Sequence, residues 1–211
     1  MDAYSVEGTP ADCVKYAVTT LFTQKPIDLV VSGINQGPNI GINIFYSGTV
    51  AAVMEAAIQG VAGIAVSVGF PDGTGNPAYG RAAEMTTQLV TAFSELRPLP
   101  PVPMWNINFP DESKAIRGVV ITRQSGGGFK ERFEHQAVDE SWPRDYKATG
   151  QYQTPEGDVH DDSAAIYESY VSITPLGLDL TYNRPAVPCL ADEFLQVIAR
   201  TCKAWGLRLM D

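Results

Sequence analysis

The chain has 211 residues, of which 45% are hydrophobic and 18% are charged, and its formal net charge is -9 at pH 7. This composition is typical of a globular protein that buries a substantial core in one domain, or in one domain with an appendage. The negative charge argues against a nucleic-acid-backbone binder, because such proteins concentrate Lys and Arg, and a phosphate ligand would need local positive charge.

The three cysteines, Cys13, Cys189 and Cys202, are scattered along the chain. Without a CxxC pair or a nearby histidine, they predict neither a zinc cluster nor a disulfide framework. The first ten residues lack the basic and apolar regions of a secretory leader, and no run reaches about 18 uninterrupted apolar residues. We therefore expect reduced thiols in a cytoplasmic protein without a membrane partner.

Residues up to about 125 alternate between helical and strand patterns. Thr9 is a good helix N-cap, and Pro10 suits the first helical position. Short β-branched runs between helices predict buried parallel strands with both faces covered, which is an α/β, doubly wound architecture. The predicted elements are a helix from Thr9 to Pro26, a strand at 27–33, a helix at 48–60, a strand at 63–69, a helix at 77–96 and strands at 104–110 and 118–124.

The second part of the chain changes character. Residues 125–168 are polar and charged, and they hold too many aromatic residues for a disordered insert. We expect an extended β-hairpin arm that packs on a partner subunit, followed by a strand at 170–176 and an amphipathic helix at 190–209. The predicted division is a core at 1–124 and 170–182, an oligomerisation arm at 125–169 and a C-terminal helical segment at 183–211.

Residues 32–50, SGINQGPNIGINIFYSGTV, form a segment that we call the ligand loop. It has four glycines, three asparagines and no charge. Ligands of parallel sheets bind beyond the strand carboxyl ends, and the helix start at Ser47, Gly48 and Thr49 offers N–H groups to an anion. The asparagines are neutral ligands for a divalent cation or donors to ribose and phosphate. Ordinary turns and a helix cap explain the same residues, so composition alone predicts only an oxygen-rich loop.

The ligand loop resembles the hallmark segment of the SurE family of metal-dependent survival-protein nucleotidases. Three further stretches fit that family in the same order: VEGTPADCVKYAV (6–18), WNINFP (105–110) and YVSITPLGLDLT (170–181). The resemblance implies a Rossmann-like three-layer α/β/α core, assembled as a homodimer or homotetramer. It implies a phosphomonoesterase that uses Mn²⁺ or Mg²⁺ to hydrolyse nucleoside 5′- and 3′-monophosphates.

The resemblance also implies roles for individual residues. Asn35 would be a metal ligand, whereas Asn39 and the turn Ser47, Gly48 and Thr49 would face the phosphate. The family's catalytic and metal-binding Asp pair, in an NDDG motif, has no counterpart in this sequence. We therefore expect impaired activity from these residues alone, with a non-catalytic nucleotide-binding oligomer or a fragment as the alternative.

Four other polar residues have competing interpretations. Asn106 and Asn108 share one face of a strand, so they either support the ligand loop or bond to neighbouring backbone, which is the commoner case. The adjacent Asp161 and Asp162 are predicted to be solvated or to cap a helix, rather than to replace the absent Asp pair.

Overall fold

The computed structural model describes residues 2–69, 78–95, 104–136, 145–152, 157–180 and 192–210. In these residues a π-helical turn (Ala17–Leu21) follows the first α-helix and a 3-10 helix (Gly41–Tyr46) precedes the second. The elements are α1 (Pro10–Tyr16), β1 (Leu29–Gln36), α2 (Gly48–Ile58), β2 (Ala62–Val68), α3 (Gly80–Ser94), β3 (Met104–Phe109), β4 (Gly118–Ile121), β5 (Phe129–Gln136), β6 (Asp145–Tyr152), α4 (Asp162–Tyr167), β7 (Tyr170–Leu176), α5 (Asp192–Ala204) and β8 (Leu209–Met210).

Six strands form the central sheet, in the order β1-β2-β3-β7-β4-β8. Strands β1, β2 and β3 are parallel, as the sequence predicts. Strand β7 runs antiparallel to β3, and β4 and β8 are parallel to their neighbours β7 and β4, so the sheet is mixed. The α/β prediction is confirmed.

Apolar side chains cover both faces of this sheet. On one face, Ile64, Ile107 and Ile173 join α3 and α5 in a buried cluster that includes Phe93 and Ile198. On the other face, the alternate strand residues Ala65 and Met104 pack against Val50 and Val53 of α2. Alternation of side chains along each strand produces these two cores, so the predicted three-layer arrangement is confirmed.

Helix α1 begins with a capping box. Thr9 Oγ1 accepts a hydrogen bond from the Asp12 N–H at 3.3 Å, and the Asp12 carboxylate accepts one from the Thr9 N–H at 2.8 Å. The Thr9 N–H and hydroxyl together lower the pKa of Asp12. Helix α1 lies against α2, where Lys15 Nζ and Glu55 Oε1 are 3.8 Å apart.

The second half of the chain differs from prediction in two details, the packing of helix α4 and the end of the last helix. Strands β5 and β6 form a separate antiparallel hairpin within the predicted arm. Helix α4 lies in the same range, yet Ala164 and Ala165 are buried on the α2 face of the main sheet. The last helix ends at Ala204 rather than 209, because the backbone turns at Gly206, which has a φ of 70°, and Leu209 then pairs with Val119 of β4. Cys189 and the start of the C-terminal segment, 183–191, lie outside the described residues.

None of the helices in the described ranges is both long and apolar enough to cross a membrane.

Candidate functional site

The ligand loop leaves β1 at the carboxyl edge of the three parallel strands. Gly33 has a φ of 125°, and a side chain there would collide with the Val66 carbonyl oxygen on β2. The pairing with β2 shifts between Ser32 and Asn35, so that Asn35 lies opposite Ser67. This local irregularity sets which side chains of the loop face the site.

Four polar residues lie in register across four neighbouring strands, and we call them the polar row: Asn35, Ser67, Asn108 and Ser172. Directly paired strand residues place their side chains on the same face, here the face covered by α2. Ser67, Asn108 and Ser172 are fully buried. A buried polar row is stable only when its members are hydrogen-bonded, and Ser172 shares a 2.8 Å hydrogen bond with Thr122.

Asn39 fixes the middle of the ligand loop onto this row. Its side-chain Nδ2 donates to Ser67 Oγ at 2.7 Å, and its backbone N–H donates to Asn108 Oδ1 at 2.7 Å. Its carbonyl oxygen accepts from the side chains of Asn106 and Asn108, at 2.7 and 3.2 Å. Of the two interpretations of Asn106 and Asn108, the structure confirms loop support.

Asn39 itself is only 8% exposed. One of the two hydrogens of its side-chain amide is committed to Ser67, and the other has no partner among the residues described. Its predicted contact with phosphate stays a prediction, and any such contact has to use that second hydrogen.

Asn35 lies at the end of β1 with its amide oriented by the next turn. Its Nδ2 donates to the Gly37 carbonyl oxygen at 2.8 Å, whereas Oδ1 has no protein partner in the ranges that the structure describes. Oδ1 is the atom that a divalent cation would bind. Within those same ranges no three His, Cys, Asp or Glu side chains cluster as metal ligands. A divalent ion needs several oxygen ligands, with carboxylates among them, so the described residues alone do not fit one.

The three predicted phosphate-binding residues lie together at the start of α2. Ser47 is the N-cap, and its Oγ accepts the Val50 N–H at 3.1 Å. The Gly48 and Thr49 N–H groups have no protein partner in the described part of the chain, and Gly48 is exposed. Free N–H groups at the positive end of an 11-residue helix suit an anion such as phosphate.

A carboxylate that the sequence predicts to be solvated or to cap a helix, Asp162, lies against the ligand loop. Asp162 is fully buried rather than solvated, and it accepts the Gly41 N–H of the ligand loop at 2.8 Å. Asp161 occupies the N-cap position of α4, and its carboxylate pairs with Arg123 Nε at 2.6 Å. The signal for Asp162 in the sequence is its position just before the returning strand β7, but its partner lies 121 residues away.

The chain is similar to a family model, to curated relatives and to a solved structure, all with the same family name. Residues 1–131 match the family model described as Survival protein SurE. A 5′-nucleotidase SurE from Thermosynechococcus vestitus is 42% identical over 188 residues, which cover 86% of this chain and 68% of the relative. One from Desulfatibacillum aliphaticivorans is 42% identical over 181 residues, covering 85% and 69%. The crystal structure of a SurE protein from Aquifex aeolicus matches with a TM-score of 0.67 and 35% identity, covering 83% of this chain and 69% of that one.

Proposed function

The chain belongs to the SurE family, and from that membership we propose that it is a nucleotidase, hydrolysing nucleoside 5′- and 3′-monophosphates to nucleoside and phosphate. The observation that carries the proposal is the start of α2, where the Gly48 and Thr49 N–H groups are unpaired in the described residues. The non-catalytic alternative is not favoured, because the matched relatives are named as 5′-nucleotidases.

The phosphate group of the substrate binds at Ser47, Gly48 and Thr49 in this proposal. Two N–H groups and the Thr49 hydroxyl donate to its oxygens, and the helix dipole favours its negative charge. The chain, with a net charge of -9, repels an anionic substrate at long range, and this local arrangement of donors offsets that repulsion at the site. Asn39 contributes its second amide hydrogen to the same phosphate group.

The nucleoside part has an adjacent surface. Phe45 and Tyr46 directly precede Ser47, and they are 57% and 84% exposed. A base stacked on an exposed aromatic ring gains about 1–3 kcal/mol, with little preference for base identity. We propose that this pair contacts the base.

SurE nucleotidases are generally metal-dependent, and we propose Mn²⁺ or Mg²⁺ for this protein, with Asn35 Oδ1 as one ligand. A bound divalent ion supplies charge neutralisation and water activation in phosphate ester hydrolysis. The carboxylates that such an ion requires are not among the described side chains, so we assign no chemical step to these residues. What they do is bind and orient the phosphate.

Two further parts of the proposal concern assembly and location. The hairpin β5–β6 stands apart from the main sheet, which supports an oligomerisation arm and a homodimer or homotetramer. The division into a core, an arm at 125–169 and a C-terminal segment at 183–211 belongs to the same proposal. A cytoplasmic location is supported by the unpaired thiols Cys13 and Cys202.

The experiment is phosphate release from 5′-AMP, 3′-AMP and glycerol phosphate, with Mn²⁺, Mg²⁺ or a chelator. Because the carboxylates that a divalent ion requires are not among the described side chains, we expect metal-dependent release from both nucleotides that is slower than that of the matched relatives, and less from glycerol phosphate. The variant Asn35→Ala weakens metal affinity in calorimetry, whereas Gln36→Ala, at the exposed neighbouring position, does not. The proposal would be refuted if no phosphate were released under any of these conditions, or if the protein bound no nucleotide under any of them.

A further inference from the structure

Asp162 is a buried carboxylate whose hydrogen bonds connect three segments. Its Oδ2 accepts the Gly41 N–H at 2.8 Å, and its Oδ1 accepts the N–H groups of Ser125 and Ser163 at 3.0 and 2.7 Å. Its side chain has no exposed surface. A buried carboxylate is stable only with such donors, so the three N–H groups and the carboxylate depend on one another.

The partner at Gly41 is held from several directions. Its carbonyl oxygen accepts from Gln124 Nε2 at 2.9 Å, and the next N–H, of Ile42, donates to the Gly127 carbonyl oxygen at 2.9 Å. Gly41 has a φ of 55°, and a side chain there would collide with that same Gly127 oxygen. The ligand loop therefore lies directly against residues 124–127, and Asp162 is hydrogen-bonded to both segments.

Gly41 is also the first residue of the 3-10 helix that leads to Ser47. The first N–H groups of any helix lack intrahelical partners, and the cap residue here, Ile40, has no side-chain acceptor. Asp162 supplies the missing acceptor from 121 residues further along the chain. Its carboxylate thus accepts the hydrogen bond that a capping side chain at position 40 would normally accept.

From this geometry we infer that Asp162 is a positioning residue for substrate binding. It fixes the start of the 3-10 helix, the helix ends at Tyr46, and the next three residues are the proposed phosphate site. Asp162 touches no substrate, and it acts through Gly41. The inference rests on the proposed function for its substrate, but the effect on the loop can be measured without any substrate.

The test compares Asp162→Asn with Asp161→Asn in the full chain. Asparagine at 162 keeps the shape but replaces one acceptor oxygen by a donor, which leaves either the Gly41 N–H or both the Ser125 and the Ser163 N–H groups without this acceptor. Asp161 begins the same helix and pairs with Arg123 instead of the loop, so its variant is the matched control. The readouts are amide hydrogen exchange, the KM and kcat for 5′-AMP, and the affinity for inorganic phosphate.

We expect Asp162→Asn to speed exchange at residues 40–46 about tenfold or more, while β2 and β3 stay protected. The KM for 5′-AMP rises about tenfold and kcat changes less than about twofold, because the variant loses binding energy that the bound substrate and the transition state share equally. Saturating 5′-AMP restores slow exchange in the loop. The Asp161→Asn protein behaves like the wild type in each measurement.

Unchanged loop exchange in Asp162→Asn, or a uniform rise across the whole chain with an unchanged KM, overturns the inference. If that variant does not fold, Gln124→Leu removes the bond to the Gly41 carbonyl oxygen, and it must shift loop exchange in the same direction or the inference is wrong. An inactive wild type that binds no nucleotide refutes the proposed function instead, and the exchange data then still decide whether Asp162 holds the loop.

Discussion

The side-chain nitrogen of Asn39 donates a 2.7 Å hydrogen bond to Ser67 Oγ, joining the middle of the ligand loop to β2 across 28 residues. Both groups are neutral and buried. A charged side chain in either place would need a buried counter-charge, whereas an amide and a hydroxyl satisfy each other. Asn35, Asn39 and Ser47 of the loop serve first as internal hydrogen-bonding groups, and neutral side chains do this without a buried counter-charge.

Removal of the Ser67 hydroxyl tests this bond. In Ser67→Ala the buried Asn39 amide loses its acceptor, and we expect the free energy of unfolding to fall by about 1–3 kcal/mol. The control is Ser32→Ala on β1, where the side chain is half-buried and has no hydrogen bond in the described residues. Denaturant titration measures both, and equal stabilities for the two variants would contradict the role of Ser67.

Two variants of Ser47 separate helix capping from phosphate binding. Ser47→Ala removes the acceptor of the Val50 N–H and should cost about 0.5–2 kcal/mol of stability. Ser47→Asp keeps an acceptor at the cap, so stability is retained, but its negative charge opposes the phosphate. We expect the Asp variant to lose phosphate affinity in calorimetry while it melts like the wild type. Unchanged phosphate affinity would exclude phosphate binding at this helix start.

Two substitutions at Gly48 isolate its N–H group. Gly48→Pro deletes that N–H at the first helical position, where proline is well tolerated, and the extended backbone of Ser47 suits a following proline. Gly48→Ala keeps the N–H and adds the same Cβ, which lies 3.2 Å from Pro10 Cγ. A hydrogen bond to a charged group is worth about 1.5–3 kcal/mol, so the proline variant should bind phosphate about 10- to 150-fold more weakly than the alanine variant. Matching affinities would contradict a phosphate contact at this N–H.

The sequence predicts the elements better than it predicts what joins them. Thr9 and Ser47 act as caps through residues three positions away, and such local chemistry can be read from the sequence. The contact of Asp162 with Gly41 depends on how the hairpin returns to the sheet, and no local pattern encodes that return. Two interpretations of Asn106 were open for the same reason, because strand alternation gives a face but not the segment that covers it.

The capping box of α1 predicts a change in stability at acid pH. Hydrogen bonds from the Thr9 N–H and hydroxyl lower the pKa of Asp12 below its ordinary value of 3.8. The stabilisation is therefore complete above that value, and it is lost as the pH falls through the lower pKa of the folded protein. Melting temperatures between pH 2 and 6 should converge for wild type and Asp12→Asn at the acid end. Parallel curves across that range would exclude Asp12 as the titrating group.

Cys202 predicts the opposite dependence at alkaline pH. It is 1% exposed in the core beside α3, and burial raises the pKa of its thiol from 9.0 to about 12. Because the folded state holds this proton more tightly than the unfolded state, the stabilisation is complete below pH 9 and is lost as the pH rises towards about 12. Denaturant midpoints between pH 8 and 11 should fall less steeply in Cys202→Ala than in wild type. The exposed Cys13, changed to alanine, should leave the slope unaltered. If both variants follow the wild-type slope, folding does not raise the pKa of the Cys202 thiol.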